Sequence, residues 1–219
     1  GAFLAVWAGG HHASMPAGQT FTVYVHGIAA AGTNVYELRI QVVTNTPTLT
    51  LAEVDFPRLE VKSRNLHRGL GSAAGEMMAV PNAQGAALID PVSSLLPFAP
   101  LPFMFHPGRL SMQWTAYCST SETNAPVLYF GSRDTVGYSK EFLIGPSTAQ
   151  GFKLGVRHSP EGNTVVDNDY LSPYASVVGV VRGDWYDGAQ EYRNWLLTRP
   201  AGQRPTWLAD ANGNYLKPL

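Results

Sequence analysis

Cysteine is nearly absent: Cys118 stands alone, which excludes an internal disulfide framework and a zinc site built from several thiolates. Charge is scarce as well. Charged side chains make up 14% of the 219 residues, against about a quarter in an average soluble domain. The 15 Lys and Arg nearly balance the 16 Asp and Glu, so no basic footprint exists to neutralise a phosphate backbone and nucleic acid is not an expected partner. Long apolar runs are also missing. Gly1 to Gly10 and Leu95 to Phe105 are too short, or too broken by proline, for the roughly 20 residues of a membrane span. The opening Gly1-Ala-Phe-Leu-Ala-Val-Trp7 lacks the basic start of a signal peptide and reads as a strand entered midway or a processed terminus. No Gly-x-Ser-x-Gly elbow, His-Glu-x-x-His helix or Asn-x-Ser/Thr acceptor occurs, so no local motif announces an active site.

What is present is apolar and turn-rich. Hydrophobic residues reach 45% and aromatics 11%, with 22 glycines and 16 prolines, which excludes disorder and points to strands joined by turns. Thr20 to His26 alternates Phe21, Val23 and Val25 against Thr22, Tyr24 and His26, the signature of a sheet with two differently solvated faces. Further strands are expected at Val35 to Val43, Thr48 to Phe56, Leu110 to Ser119, Val127 to Ser132, Glu141 to Ile144, Phe152 to Val156 and Ala175 to Val181. So many strands without intervening helical periods predict an all-β fold, a large antiparallel two-sheet β-sandwich. Residues 63–109, with six prolines and the Gly69-Leu-Gly71-Ser-Ala-Ala-Gly75 cluster, read as long loops with short embedded strands, a type of region that is commonly functional or interface-forming.

One segment has a helical period. Trp185, Ala189, Tyr192, Trp195 and Leu196 fall on one stripe, Asp184 is a good N-cap, Asp187 lies in the first turn and Pro200 closes the run. A single C-terminal helix is therefore expected at about 184–199, packed on or leaving a sandwich formed by 1–183. Residues 200–219 read as an extended linker or tail.

Chemistry-bearing clusters are few. Arg182-Gly183-Asp184 spells an adhesion tripeptide, but its aspartate is expected to cap the helix. Gly69-x-Gly71 is fed by no apolar strand and is followed by Pro81, so it reads as a turn rather than a dinucleotide loop. His11-His12 with Met15 lacks a second group of ligands. Asp167-Asn168-Asp169 with Glu161 offers oxygen donors suited to calcium near Asp167 and Asp169, without the glycine and glutamate positions of a helical calcium loop, and otherwise reads as a solvated Asx-rich turn. Trp185, Tyr192 and Trp195 read as core. Tyr186, Phe103, Phe105, Trp207 and Tyr215 lie off the stripe or in loops, where contact with a ligand or a neighbouring domain is the expectation.

The run Gly183-Asp-Trp-Tyr-Asp-Gly-Ala-Gln-Glu-Tyr-Arg-Asn-Trp195, following a Val-rich strand, resembles the end of the N-terminal sandwich in an uncharacterised family of glycoside-hydrolase-like bacterial proteins. There a strand ends in Gly-Asp-Trp-x-x-x-Ala-x-x-Tyr-Arg-x-Trp and leads into a (β/α) barrel. Val54-Asp-Phe-Pro57, His106-Pro-Gly108 with Ser111-Met-Gln-Trp-Thr-Ala-Tyr117, and Leu128-Tyr-Phe-Gly-Ser-Arg-Asp134 with Lys140 support the likeness, which spans residues 54–199. It implies a galactose-mutarotase-like supersandwich. The carboxylates that cut the glycosidic bond would belong to the barrel, starting around Trp207 and missing here, so no catalytic residue is carried over. The chain would be a piece of such a protein or a stand-alone derivative of its sandwich. Where the family often has His-Asp, this sequence has Arg133-Asp134, which exchanges a switchable imidazole for a fixed guanidinium fork. Arg133, Asp134, Phe103, Phe105 and Trp207 are accordingly the candidate carbohydrate-binding residues. The expected role is accessory, binding or positioning a polysaccharide or oligosaccharide at the cell surface or outside the cell, with a barrel or neighbouring subunits as protein partners. The alternative is a structural or assembly component, a virion, filament or cell-surface protein, in which Leu95-Leu-Pro-Phe-Ala-Pro-Leu-Pro-Phe-Met-Phe105 covers a subunit contact.

Overall fold

The computed structural model describes residues 1–11, 15–29, 32–45, 48–69, 74–95, 105–147, 150–160 and 169–200. In chain order the elements are β1 (Ala2–Gly10), β2 (Phe21–Ala29), β3 (Val35–Thr44), β4 (Val54–Lys62), α1 (Arg64–His67), β5 (Glu76–Val80), β6 (Ala86–Ile89), α2 (Pro91–Leu95), β7 (Phe105–His106), β8 (Trp114–Ser119), β9 (Ala125–Arg133), β10 (Lys140–Pro146), β11 (Gly151–His158), β12 (Tyr170–Leu171), β13 (Ala175–Gly183) and α3 (Trp185–Thr198). Every strand pairing is antiparallel. The large sheet runs β1-β2-β3-β13-β9-β8-β5-β6, with β12 also on β3, and the small sheet runs β4-β11-β10-β7. The expected all-β two-sheet sandwich with one C-terminal helix is the observed fold.

Period-two alternation explains how the strands serve two cores. On β9, Leu128 and Phe130 point inward and meet Phe142, Ile144, Phe152, Leu154 and Val156 of the small sheet. Val127 and Tyr129 point outward, beneath Tyr192, Trp195 and Leu196 of α3. A third cluster, Val25, Ile40, Val42, Val54 and Tyr170, fills the space between the sheets toward β1 and β4. The inner face of the large sheet is thus closed by the small sheet, and part of its outer face by α3.

The helix begins as its sequence predicts. Asp184 caps it by accepting from the Tyr186 amide at 2.7 Å, and Asp187 returns a bond to the Asp184 amide at 2.9 Å. Its buried residues are Gly188, Tyr192, Trp195 and Leu196. The stripe is corrected at its first member: Trp185 is 45% exposed, because the opening turn overhangs an apolar groove of about 450 Å³ lined by Met77, Pro81, Met112 and Trp114. Gly188 makes the contact instead, and an added Cβ there would lie 2.8 Å from the Ala116 methyl.

The strand expected at Thr48 to Phe56 lies later, at β4. Pro57 lies inside this strand, where the β4–β11 register shifts between Gly155 and Arg157. A bulge asks for no ladder donor, so the missing N–H costs nothing there. In 63–109 the described residues include the short strands β5, β6 and β7, and also α1 and α2, which no helical period announces. Buried Glu76 organises that region: it accepts from Tyr117 Oη at 2.5 Å, Ser63 Oγ at 2.9 Å and the Asn65 amide at 2.7 Å.

Candidate functional site

At one end of the sandwich β9 stops at Arg133 and β12 breaks from β13 through Ser172-Pro173-Tyr174. Ser172 holds the break to β3, donating its amide to the Ile40 carbonyl at 2.9 Å and accepting the Ile40 amide on Oγ at 3.2 Å. The interruption leaves two clefts that share Tyr138, Pro173 and Tyr174 as walls. One, of about 160 Å³, is also lined by Glu37, Arg39, Arg133, Asp134 and Trp195. The other, of about 400 Å³, is lined further by Ser139, Ser159, Asp169 and Tyr170.

Beneath the clefts lies a row of basic side chains. Lys140 on β10 stands opposite His106 on β7 and opposite His158 on β11, and residues directly opposite in a ladder share a face. All three are buried. Lys140 Nζ donates to Asp134 Oδ2 at 2.6 Å and to the Tyr138 carbonyl at 2.7 Å, and it lies 4.3 Å from the centre of the Tyr174 ring. The other carboxylate oxygen of Asp134 accepts the Val136 and Gly137 amides at 2.9 and 3.0 Å. Burial pulls the lysine pKa down, with Asp134 opposing. His106 is pushed down to about 4, by burial first and Lys140 second, with Asp134 opposing. His158 is also lowered to about 4, chiefly by burial; its neutral ring fits the 2.6 Å contact of Nε2 with the Phe56 carbonyl, the nitrogen donating. The His158 ring stacks on Tyr174 at 5.2 Å and 22°. This cluster is a sealed polar floor that fixes the aromatic walls above it.

Arg133, in the smaller cleft, ties two elements together. Its side chain is 16% exposed, and its fork bonds Glu37 of β3 and Glu191 of α3, the latter at 3.0 Å. Three polar atoms of the cleft walls are buried without a hydrogen-bond partner among the described residues: Arg133 Nε, Trp195 Nε1 and Tyr174 Oη. Arg39 stands exposed at the rim.

Of the residues singled out from sequence, Arg133 and Asp134 therefore meet at the clefts, the aspartate as part of the floor. Phe105 does not join them: it pairs with Glu141 across β10, on the opposite face of the small sheet from His106, and is 43% exposed. Phe103, Trp207, Tyr215, His12 and Asp167 lie outside the described residues. Asp169 accepts from the amide and hydroxyl of Thr44 at 2.8 and 3.2 Å, and no group of three or more metal-ligating side chains occurs among the described residues. Tyr186 is exposed and meets Trp185 edge-on at 6.1 Å. Lys140, His106, His158, Tyr138 and Tyr174 escaped sequence reasoning. A phase signal existed for His158, which continues the inward series Phe152, Leu154, Val156.

Fold and site together define an all-β sandwich carrying polar, aromatic-walled clefts at one end of its sheets. No family model and no curated protein matches the sequence. Among solved structures, the GH36 alpha-galactosidase AgaB from Geobacillus stearothermophilus superposes with a TM-score of 0.46 at 11% identity, over 90% of this chain. The match covers 30% of the enzyme's own chain.

Proposed function

We propose that the chain is a carbohydrate-associated sandwich module of a glycoside-hydrolase-like protein, which binds or positions a polysaccharide in the paired clefts and performs no bond cleavage itself. The observation that carries the reading is the half-buried Tyr138 ring, backed by buried Tyr174, beside the exposed guanidinium of Arg39 at the rim of the smaller cleft. Sugars suit such a rim, since their hydroxyl oxygens accept from an exposed guanidinium and their C–H faces lie against an aromatic ring. The nearby carboxylates are engaged already: Glu37 and Glu191 hold Arg133, and Asp134 holds Lys140. That is the arrangement of a binding site rather than of an acid and base poised at a glycosidic bond. The resemblance of residues 183–195 to the helix following such sandwiches points the same way.

Titration of the 219-residue chain with soluble plant and bacterial polysaccharides, and with oligosaccharides at millimolar concentration, tests the reading. A rise in melting temperature is expected for at least one glycan, together with a loss of affinity of about tenfold for Tyr138→Ala and for Arg39→Ala, on the scale of one good contact. The absence of any shift across the panel overturns it. The second reading, an assembly component on the same fold, is favoured by a different surface, the uncovered edge at β1.

A further inference from the structure

We infer that β1 is a homotypic interface, through which two copies of this chain pair antiparallel about a two-fold axis at Ala5, joining their large sheets into one. Among the described residues β1 pairs only with β2. Its regular stretch is unprotected: Ala2-Phe-Leu-Ala-Val-Trp7 contains no charge and no proline, and the register shift between Trp7 and Gly10 comes only after it. Both of its faces are apolar and open. Phe3 and Trp7, on the inner face, are 49% and 58% exposed, and Leu4 and Val6, on the outer face, are 57% and 50% exposed.

The backbone direction follows from two bonds. Gly1 and Ala29 exchange hydrogen bonds at 2.9 and 2.8 Å, so they form a hydrogen-bonded pair, and in an antiparallel ladder such pairs recur every second residue. The register Phe3↔Gly27, Ala5↔Val25 and Trp7↔Val23 therefore turns the polar backbone of Phe3, Ala5 and Trp7 toward β2. The N–H and C=O groups of Ala2, Leu4 and Val6 point to the open edge.

The side-chain order selects the partner. Read outward from Ala5, the strand is symmetric in kind: Leu4 mirrors Val6, Phe3 mirrors Trp7 and Ala2 mirrors Ala8. A two-fold axis at Ala5 puts Leu4 opposite the second copy's Val6, and both offer outward backbone groups, so they form a hydrogen-bonded pair. Phe3 falls opposite Trp7 at a non-hydrogen-bonded position, where side chains approach most closely and aromatic pairs are favoured. Shifting the axis to Leu4 or Val6 sets an aromatic against alanine. A self-complementary patch of this kind is what an isologous contact requires, which favours a second copy over an unrelated strand.

Sedimentation equilibrium of the 219-residue chain is the test, with a mass of twice 23.7 kDa expected at high concentration. Leu4→Pro removes an outward N–H without touching the β1–β2 ladder and is expected to weaken the dimer at least tenfold while circular dichroism and melting stay native. Ala5→Cys places two thiols across the axis, at a pair with Cα atoms about 4.5 Å apart, inside the range a disulfide spans. It is expected to give a covalent dimer on mild oxidation, whereas Trp7→Cys, opposite Phe3, gives none. Cys118 is buried and does not compete. If Leu4→Pro fails to fold, Phe3→Glu and Trp7→Lys replace it: each is expected to be monomeric alone and to form a one-to-one dimer when mixed. A chain that stays monomeric throughout, a dimer unaffected by these changes, or crosslinking at Trp7→Cys but not at Ala5→Cys overturns the inference.

Discussion

The Asp134–Lys140 pair is the most exacting feature at the scale of single residues. Both side chains are essentially unexposed, so removing one partner strands a buried charge, at a cost of about 3–5 kcal/mol. Lys140→Met is expected to lose that much in urea unfolding, because Asp134 Oδ2 then has no cation. Adding Asp134→Asn should return most of it: the amide oxygen can keep the Val136 and Gly137 bonds, and the methionine fills the lysine stem. A double mutant no more stable than Lys140→Met would show that the aspartate's worth lies in the turn alone. His106 and His158 predict a pH dependence. Their folded pKa values near 4 lie below the ordinary 6.5, so the unfolded chain binds more protons between those values. The stabilisation is complete above pH 6.5, falls as pH drops and is lost below about 4. Each histidine contributes on the order of 3 kcal/mol over that window, so urea midpoints should fall steeply from pH 7 to pH 4.5. Replacing either histidine with glutamine should reduce that slope by about half. The Arg133-Asp134 end of the site was singled out through the resemblance, as the place where the family often has His-Asp. Its floor was not, since Lys140, His106 and His158 are far apart in the chain and meet only through the β7-β10-β11 register.

Elements whose two faces differ in solvation could be read from the chain, as β2, β3 and α3 show. The short strands expected within 63–109 could not be placed: in β5, Met77, Met78, Ala79 and Val80 are apolar on both faces, so they lack the alternation that marks a half-solvated strand. Strand β4 was misplaced because its bulge and its partner β11 are invisible locally. Helix α3 was readable in its cap and period, but not in its closest approach, which depends on a residue with no side chain. Gly188→Ala tests that contact. Helix propensity favours alanine by up to about 1 kcal/mol, yet the new methyl would stand 2.8 Å from Ala116, and overpacking of this kind costs about 1–3 kcal/mol. Strain is expected to win, with a net loss of about 1–2 kcal/mol in chemical denaturation. Ala116→Gly should recover part of that loss in the double mutant but not on its own, because glycine is unfavourable in an isolated strand position. A stabilised Gly188→Ala protein would mean that α3 rides higher on the sheet than these contacts imply.

For the whole molecule the question is whether three apolar clusters make one cooperative unit. They share backbone rather than side chains. Strand β9 gives Phe130 to the inter-sheet core and Tyr129 to the face under α3, β13 gives Val178 and Val177 in the same way, and β3 gives Val35 to the helix-covered face and Ile40 and Val42 to the third cluster. Melting one face of such a strand removes the support of the other, and Arg133 adds a tie by bonding both β3 and α3. The expected behaviour is a single transition. Phe142→Ala, between the sheets, and Trp195→Ala, under the helix, should each cost about 3–5 kcal/mol. In both variants, made in a background with Trp7, Trp185 and Trp207 replaced by phenylalanine so that emission comes from beneath α3, the fluorescence should change at the same urea concentration as the far-ultraviolet signal of the sheets. Loss of the Trp114 signal ahead of the sheet signal in Trp195→Ala would show that the outer face unfolds on its own. The smaller cleft, whose walls come from β3, β9 and α3 together, would then form only after the sandwich beneath it.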